Sequence, residues 1–144
     1  MHNAVAFTVP GDPVGKGRPR ASTINGRPRL YTPAATVAYE HLVALAAQQA
    51  MAGAPPWDGP VRMELGIIHS VPASWSKRKQ AAALLGTPRP TVKPDLDNVV
   101  KAIGDACNGI LWRDDAQIVE LEVVRHYGLS PCVRVRACVL APID

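Results

Sequence analysis

Cysteine is scarce and poorly spaced for chemistry. Cys107, Cys132 and Cys138 are odd in number and form no CxxC pair, which argues against a disulfide framework or a zinc knuckle. If Cys132 and Cys138 share a strand, roughly 20 Å separates them, far beyond disulfide reach. Reduced, packed thiols are expected. No stretch approaches the ~20 apolar residues that span a bilayer, and Met1–His2–Asn3 opens no basic-then-apolar leader, so the expectation is a soluble, cytoplasmic protein. Neither a Ser-His-Asp nor a Cys-His arrangement is present to support nucleophilic catalysis. Internal repeats are absent too. What is present is 144 residues, 47% of them hydrophobic, enough to build one domain over 1–144 without structural metals.

Acid is also missing where base is dense. Between Leu65 and Pro94 there is no Asp or Glu, while Lys77, Arg78, Lys79, Arg89 and Lys93 lie there. A second basic set, Lys16, Arg18, Arg20, Arg27 and Arg29, occupies a Gly/Pro-rich segment, 11–31, opposed only by Asp12. Conversely, Asp95, Asp97, Asp105, Asp114, Asp115, Glu120 and Glu122 make up seven of the twelve acids. The net charge of +4 is modest. Its segregation suggests a polyanion held on basic ground against a cation site, the plainer alternative being ordinary solvated charge.

Ala4–Val9 reads as a first strand ending at Pro10. Segment 11–31 is too punctuated by glycine and proline for a helix; its Asn25–Gly26 pair suggests a tight turn, and its five bases suggest a nucleic-acid-binding arm that orders on contact. Thr32 as N-cap before Pro33 predicts a helix over Ala34 to Ala52, ending near Gly53. Alternation from Val61 to about His69 predicts a second strand. Ser74 is expected to cap a short basic helix, Trp75 to Leu85, closed by Gly86; the proline-rich Thr87–Pro94 then forces extended chain. From Leu96 the apolar positions Val99, Val100, Ile103, Ala106 and Cys107 recur at helical spacing, with Asn108–Gly109 as a left-handed C-cap. Alternating Val119, Leu121, Val123 and then Val133, Val135, Ala137, Val139 predict an antiparallel hairpin.

The run Lys93 to Gln117, KPDLDNVVKAIGDACNGILWRDDAQ, concentrates the chemistry. Asp95 and Asp97, two apart at a helix entry, are placed to face one cation. Asp114 and Asp115 follow the helix and must be returned along about 16 Å of it to join them. Converging carboxylates repel unless a divalent ion neutralises them, and an oxygen-only set suits Mg²⁺ or Mn²⁺. Spacing alone leaves open a plainer reading, in which Asp95 or Asp97 caps the helix and Asp114–Asp115 decorates a turn. Lys101, four residues from both Asp97 and Asp105, is either part of a surface ion-pair stripe or a cation beside the site that stabilises phosphate charge.

This run resembles the signature of RusA-type Holliday-junction resolvases. An Asp-x-Asp-Asn opens a helix (Asp95, Asp97, Asn98), a Lys follows (Lys101), then an Asp-Ala pair (Asp105–Ala106), an Asn-Gly turn (Asn108–Gly109) and Asp-Asp-x-Gln (Asp114, Asp115, Gln117). More weakly, the N-terminal strand and Gly15–Lys16–Gly17–Arg18–Pro19–Arg20 extend the likeness. The resemblance implies a homodimeric, metal-dependent endodeoxyribonuclease that resolves branched DNA in recombination and repair. It also implies an α/β fold: a small mixed sheet of about four strands, including the C-terminal hairpin, packed with about three helices. Asp95, Asp97 and Asp115 are then the expected metal ligands, with Lys101 as catalytic support, Asp114 as the weaker of its pair, and Asp105 and Asn98 as supporting residues. DNA would lie on Lys16, Arg18, Arg20, Arg27, Arg29, Lys77, Arg78, Lys79, Arg89 and Lys93. A junction-binding protein with a structural or inactive metal site, or a nuclease of flap or duplex preference, stands as the alternative.

Other residues admit two readings each. His69 is either a ligand at a strand end or structural, and His2, His41 and His126 show no metal spacing. Trp75 and Trp112 serve either base stacking or packing, and Trp57 lies on a proline-rich turn. Arg134 and Arg136 meet either phosphate or Glu120 and Glu122 across the hairpin.

Overall fold

A computed structural model describes residues 3–141; His2 lies outside the described residues. Four strands form one mixed sheet in the order β1-β6-β4-β5, where β1 is Ala4–Pro10, β4 Val61–Ser70, β5 Ile118–Gly128 and β6 Cys132–Val139. The central strand β4 runs antiparallel to β6, with Leu65 opposite Val135, and parallel to β5, with Leu65 opposite Val123. β1 closes the far edge antiparallel to β6.

The expected C-terminal hairpin is therefore corrected. β5 and β6 are consecutive and run in opposite directions, but β4 lies between them. Val61, Met63, Leu65 and Ile67 of β4 are essentially inaccessible to solvent, and a strand this deeply buried needs ladder partners on both edges. The short link 129–131 suffices to cross one strand, a gap of about 10 Å.

Three helices follow from the predicted segments, with shifted ends. α1, Ala34–Met51, buries Thr36, Tyr39, Val43, Ala47 and Met51 at intervals of three and four. Pro33, not Thr32, occupies its cap position, and its carbonyl accepts the amides of Thr36 and Val37. α2, Lys77–Leu84, is capped by Ser76, whose hydroxyl accepts the Lys79 amide at 3.2 Å, two residues later than the expected Ser74. α3, Leu96–Ala106, buries Val99, Ala102, Ile103 and Ala106. Cys107 ends α3 in right-handed geometry, so the left-handed residue is Gly109 alone (φ 81°), within the following turn.

α1 and α3 pack with the sheet around Val9, Val43, Met63, Ile67, Ile103, Val133 and Val135. The opposite sheet face is charged. Arg62 bonds Glu64 at 2.9 Å, Glu120 at 3.4 Å and Glu122 at 2.9 Å, and Arg136 lies 3.9 Å from Glu64. With β4 intervening, Glu120 and Glu122 pair with Arg62, not with Arg134 or Arg136. Cys107 and Cys132 are buried free thiols, and burial pushes Cys107 up to about 12.

Segment 11–31 carries more order than its composition suggested. Arg20–Ile24 (β2) and Arg27–Tyr31 (β3) form a separate antiparallel ribbon. Its turn is Asn25–Gly26, with φ of 52° and 75°, the left-handed pair that matches strand twist in a two-residue hairpin. All ten strand residues are exposed. Among the described residues, no helix is long and apolar enough to cross a membrane.

Candidate active site

α3 presents the first two acids. Asp95 stands at its cap position but makes no side-chain cap hydrogen bond; its Oδ1 instead receives Lys93 Nζ at 2.8 Å. Capping therefore does not account for Asp95. Asp97 lies exposed in the first turn, where the helix dipole favours negative charge.

Beyond α3 the chain doubles back through a compact turn anchored in the core by its last two residues. Leu111 and Trp112 are fully buried, Gly109 N–H donates to the Trp112 carbonyl at 2.7 Å, and Trp112 Nε1 donates to Asn108 Oδ1 at 2.9 Å. Trp112 is thus a core residue, not a stacking platform. A 3₁₀ turn, Asp115–Gln117, follows. Gln117 holds that turn: its Nε2 donates to the carbonyls of Trp57 (2.8 Å) and Gly59 (3.0 Å), and its Oε1 accepts the amides of Arg113 (2.8 Å) and Asp114 (3.1 Å). Asp114 caps the turn through the Ala116 amide.

This return sets Asp115 against α3. Its Cβ and Oδ2 each lie 3.6 Å from where a Cβ on Gly104 would stand, and its Oδ2 is 3.8 Å from Lys101 Nζ. Lys101 also pairs with Asp105 Oδ1 at 3.2 Å, so of its two helix neighbours it is Asp105 that it holds. Asp105, then Asp115, hold the Lys101 ammonium above its ordinary pKa. Hydrogen bonding to Asp114, then burial, raises Asp115, while the same bond lowers Asp114. Asp97 and Gly104 share a helix side about 10 Å apart along the axis. Among the described residues, no three His, Cys, Asp or Glu side chains stand close enough together to hold a metal ion. The donor chemistry suits a hard divalent cation, being carboxylate oxygen throughout, with lysines now against Asp95 and Asp115.

The expected DNA contacts divide. Arg18, Arg20, Arg27, Arg29, Lys77, Arg78 and Lys79 are exposed, Lys79 lying 3.9 Å over the Trp75 ring. Arg89 and Lys93 are exposed as well, though Arg89 donates from Nε and Nη2 to the Arg125 carbonyl at 3.1 and 2.9 Å and Lys93 pairs with Asp95, whereas Lys16 is held by Glu40 at 2.6 Å and Asp105 at 3.3 Å. Trp75 packs edge-on to Tyr127 with centroids 5.3 Å apart. His69 is buried at the end of β4, where its Nε2 accepts Arg125 Nε at 3.2 Å, a structural placement.

Sequence reasoning gave no role to Glu40, Arg125 or Trp57. Arg125 joins His69 to the Val92 carbonyl of the linker that leads to Asp95, and the Trp57 backbone anchors Gln117. Their partners are at least 24 positions distant, so no local pattern marked them.

The family model for endodeoxyribonuclease RusA matches residues 10–137. The chain belongs to the RusA family. A relative, described as uncharacterized protein YqaN of Bacillus subtilis (strain 168), is 40% identical over 135 residues, covering 92% of this chain and 94% of its own length. RusA-family membership indicates an endodeoxyribonuclease of the Holliday-junction-resolving type. The matched span includes every described part of the candidate site, from Lys16 to Gln117.

Proposed function

We propose that this RusA-family chain is a Mg²⁺-dependent endodeoxyribonuclease that acts as a homodimer and resolves four-way junctions and other branched DNA by paired phosphodiester hydrolysis. The observation that carries the reading is the return of Asp115 to α3 beside Lys101, on the helix that Asp95 and Asp97 open. Asp95, Asp97 and Asp115 would hold the ion, which has to draw them closer together than they stand in this structure, Mn²⁺ being the alternative metal. When bound, it supplies a Lewis acid for the scissile phosphate and a water of lowered pKa.

The protein's own groups do the rest. Lys101, kept protonated by Asp105 and Asp115 and half exposed, offers a fixed positive charge to a phosphate oxygen that gains charge in the transition state. Gln117 keeps the Asp115 turn against the helix. The β2–β3 ribbon offers a groove or backbone contact: Arg20, Arg27, Arg29 and Tyr31 project from one face and Ala21, Thr23, Pro28 and Leu30 from the other. A two-fold dimer matches the two equivalent strands cut in a junction. Roles in recombination and repair follow from that substrate.

The test is cleavage of a synthetic four-way junction with and without Mg²⁺, by wild type and Asp95→Asn. The expected outcome is Mg²⁺-dependent paired nicking by wild type, and loss of cleavage with retained binding in the variant. If wild type binds the junction but never nicks it, a binding module replaces the enzyme. Equal cleavage of linear duplex or flaps across salt concentrations removes the junction preference.

A further inference from the structure

Lys16 differs from every other base in the N-terminal arm. Its neighbours Gly15 and Gly17 are wedged where no side chain fits. A Cβ on Gly15 would fall 2.9 Å from Pro94 Cβ and 3.0 Å from Asn98 Cβ; one on Gly17 would fall 2.7 Å from Pro33 Cγ and 3.0 Å from Thr36 Oγ1. Lys16 N–H donates to the Asn98 carbonyl at 2.9 Å, and Gly17 N–H to Thr36 Oγ1 at 3.0 Å. The backbone is thus clamped between the start of α1 and the start of α3, and the lysine is aimed before any ligand arrives.

Its ammonium sits between Glu40 Oε1 at 2.6 Å and Asp105 Oδ2 at 3.3 Å, with the side chain only 25% exposed. Asp105 is shared: Oδ2 faces Lys16 and Oδ1 faces Lys101 at 3.2 Å. The result is a row of alternating charge, Glu40, Lys16, Asp105, Lys101, Asp115, running from α1 across the arm and α3 to the returning turn. A carboxylate accepts at both oxygens. With Oδ2 facing Lys16, Lys101 meets Asp105 at Oδ1 and stands 3.8 Å from Asp115 Oδ2.

We infer that Lys16 is a positioning residue of the active site, not a contact to the DNA backbone: it occupies one oxygen of Asp105 and so aims Lys101. The inference rests on the endonuclease reading above. It separates Lys16 from Arg18 and Arg20, which lie just beyond the clamp and are exposed.

The experiment compares wild type, Lys16→Ala, Lys16→Arg, Arg18→Ala, Asp105→Asn and the Lys16→Ala/Asp105→Asn double variant. The readouts are the Kd for a four-way junction, the single-turnover cleavage rate at saturating DNA in Mg²⁺, and the thermal midpoint. Lys16→Ala is expected to leave Kd unchanged and to slow cleavage roughly 10- to 100-fold, the usual cost of losing a group that orients a reacting one. Lys16→Arg should recover part of the rate, Arg18→Ala should weaken Kd, and the double variant should be little slower than Asp105→Asn, because the two act as one unit. The inference is overturned if Lys16→Ala weakens Kd as Arg18→Ala does while cleaving at the wild-type rate, or if the Lys16 and Asp105 effects multiply. Should Lys16→Ala fail to fold, Lys16→Met, which keeps the length of the side chain but not its charge, must slow cleavage without changing Kd; a wild-type rate there overturns it equally. If wild type itself does not cleave, the endonuclease reading falls; if wild type and Lys16→Ala cleave alike, only the role of Lys16 falls.

Discussion

Gln117 illustrates how much one side chain settles at the scale of the residue. Both of its amide hydrogens go to carbonyls and its oxygen takes two amides, so its hydrogen-bonding capacity is fully used on backbone. Gln117→Glu keeps the size but turns two donors toward the Trp57 and Gly59 carbonyls into acceptors. We expect a stability loss of about 1 to 3 kcal/mol, read as a lower urea midpoint, together with slower junction cleavage; an unchanged midpoint would show that the turn is held by something else. Tyr39 predicts the opposite sign. Its hydroxyl is buried with no partner among the described residues, and burial pushes it above its ordinary pKa. Tyr39→Phe removes an unsatisfied group at almost constant shape, so a gain of up to about 1 kcal/mol is expected in the same measurement, and a loss of that size would reveal a hydrogen bond to the hydroxyl. Gln117 was legible as a motif member, and of Tyr39 only its place in the helix predicted over Ala34 to Ala52 was legible. Their bonding states were not, because the answering groups come from remote backbone or are missing.

Among the elements, the linker 87–94 and strand β5 are fastened by a small cluster. Arg125 donates to His69 and to the Val92 carbonyl, while Arg89 donates to the Arg125 carbonyl. Burial first, then the Arg125 charge, lowers the His69 pKa below its ordinary value, with Asp12 opposing. In the unfolded chain His69 takes up its proton at about pH 6.5; in the fold it does so only at lower pH. The unfolded state thus binds more protons between the two values, and the associated stability is complete above pH 6.5 and lost as pH falls through the folded pKa. We expect the wild-type urea midpoint to fall between pH 7.5 and pH 5, and His69→Gln, which keeps an acceptor but cannot titrate, to flatten that fall; equal slopes would remove His69 as the cause. α3 depends on burial instead. Ile103 is fully buried, so Ile103→Ala should cost about 2 to 5 kcal/mol, checked by thermal unfolding. A value below 1 kcal/mol would mean that the helix packs more loosely than its contacts imply.

For the molecule as a whole, the distribution of bases determines how binding responds to salt. Three arginines share the ribbon face with Tyr31, whereas Lys16 is part-buried and bonded within the protein. If the ribbon lies on DNA, replacing Arg20, Arg27 and Arg29 together by alanine should flatten the slope of log Kd against log salt by about 2 to 3 units. The same triple change should leave the thermal midpoint nearly untouched, because all three residues are exposed. An unchanged slope, measured on a four-way junction, would place the DNA elsewhere.

The sequence by itself determined what short-range physics controls. A short apolar run ending at Pro10 marked β1, alternation marked β4, helical spacing marked α3, the Asn25–Gly26 pair marked the ribbon turn, and the gapped motif from Asp95 to Gln117 carried the family. Each is a local pattern that the chain obeys without knowing its neighbours. Only the tertiary structure decided that β4 enters between β5 and β6, that Arg62 takes Glu120 and Glu122, and that Lys16 faces Asp105. The reason is the same in each case: strand order depends on which buried edges must be paired, and the partner of a charge depends on where separate elements come to rest. Both are properties of long-range closure that periodicity along the chain does not encode.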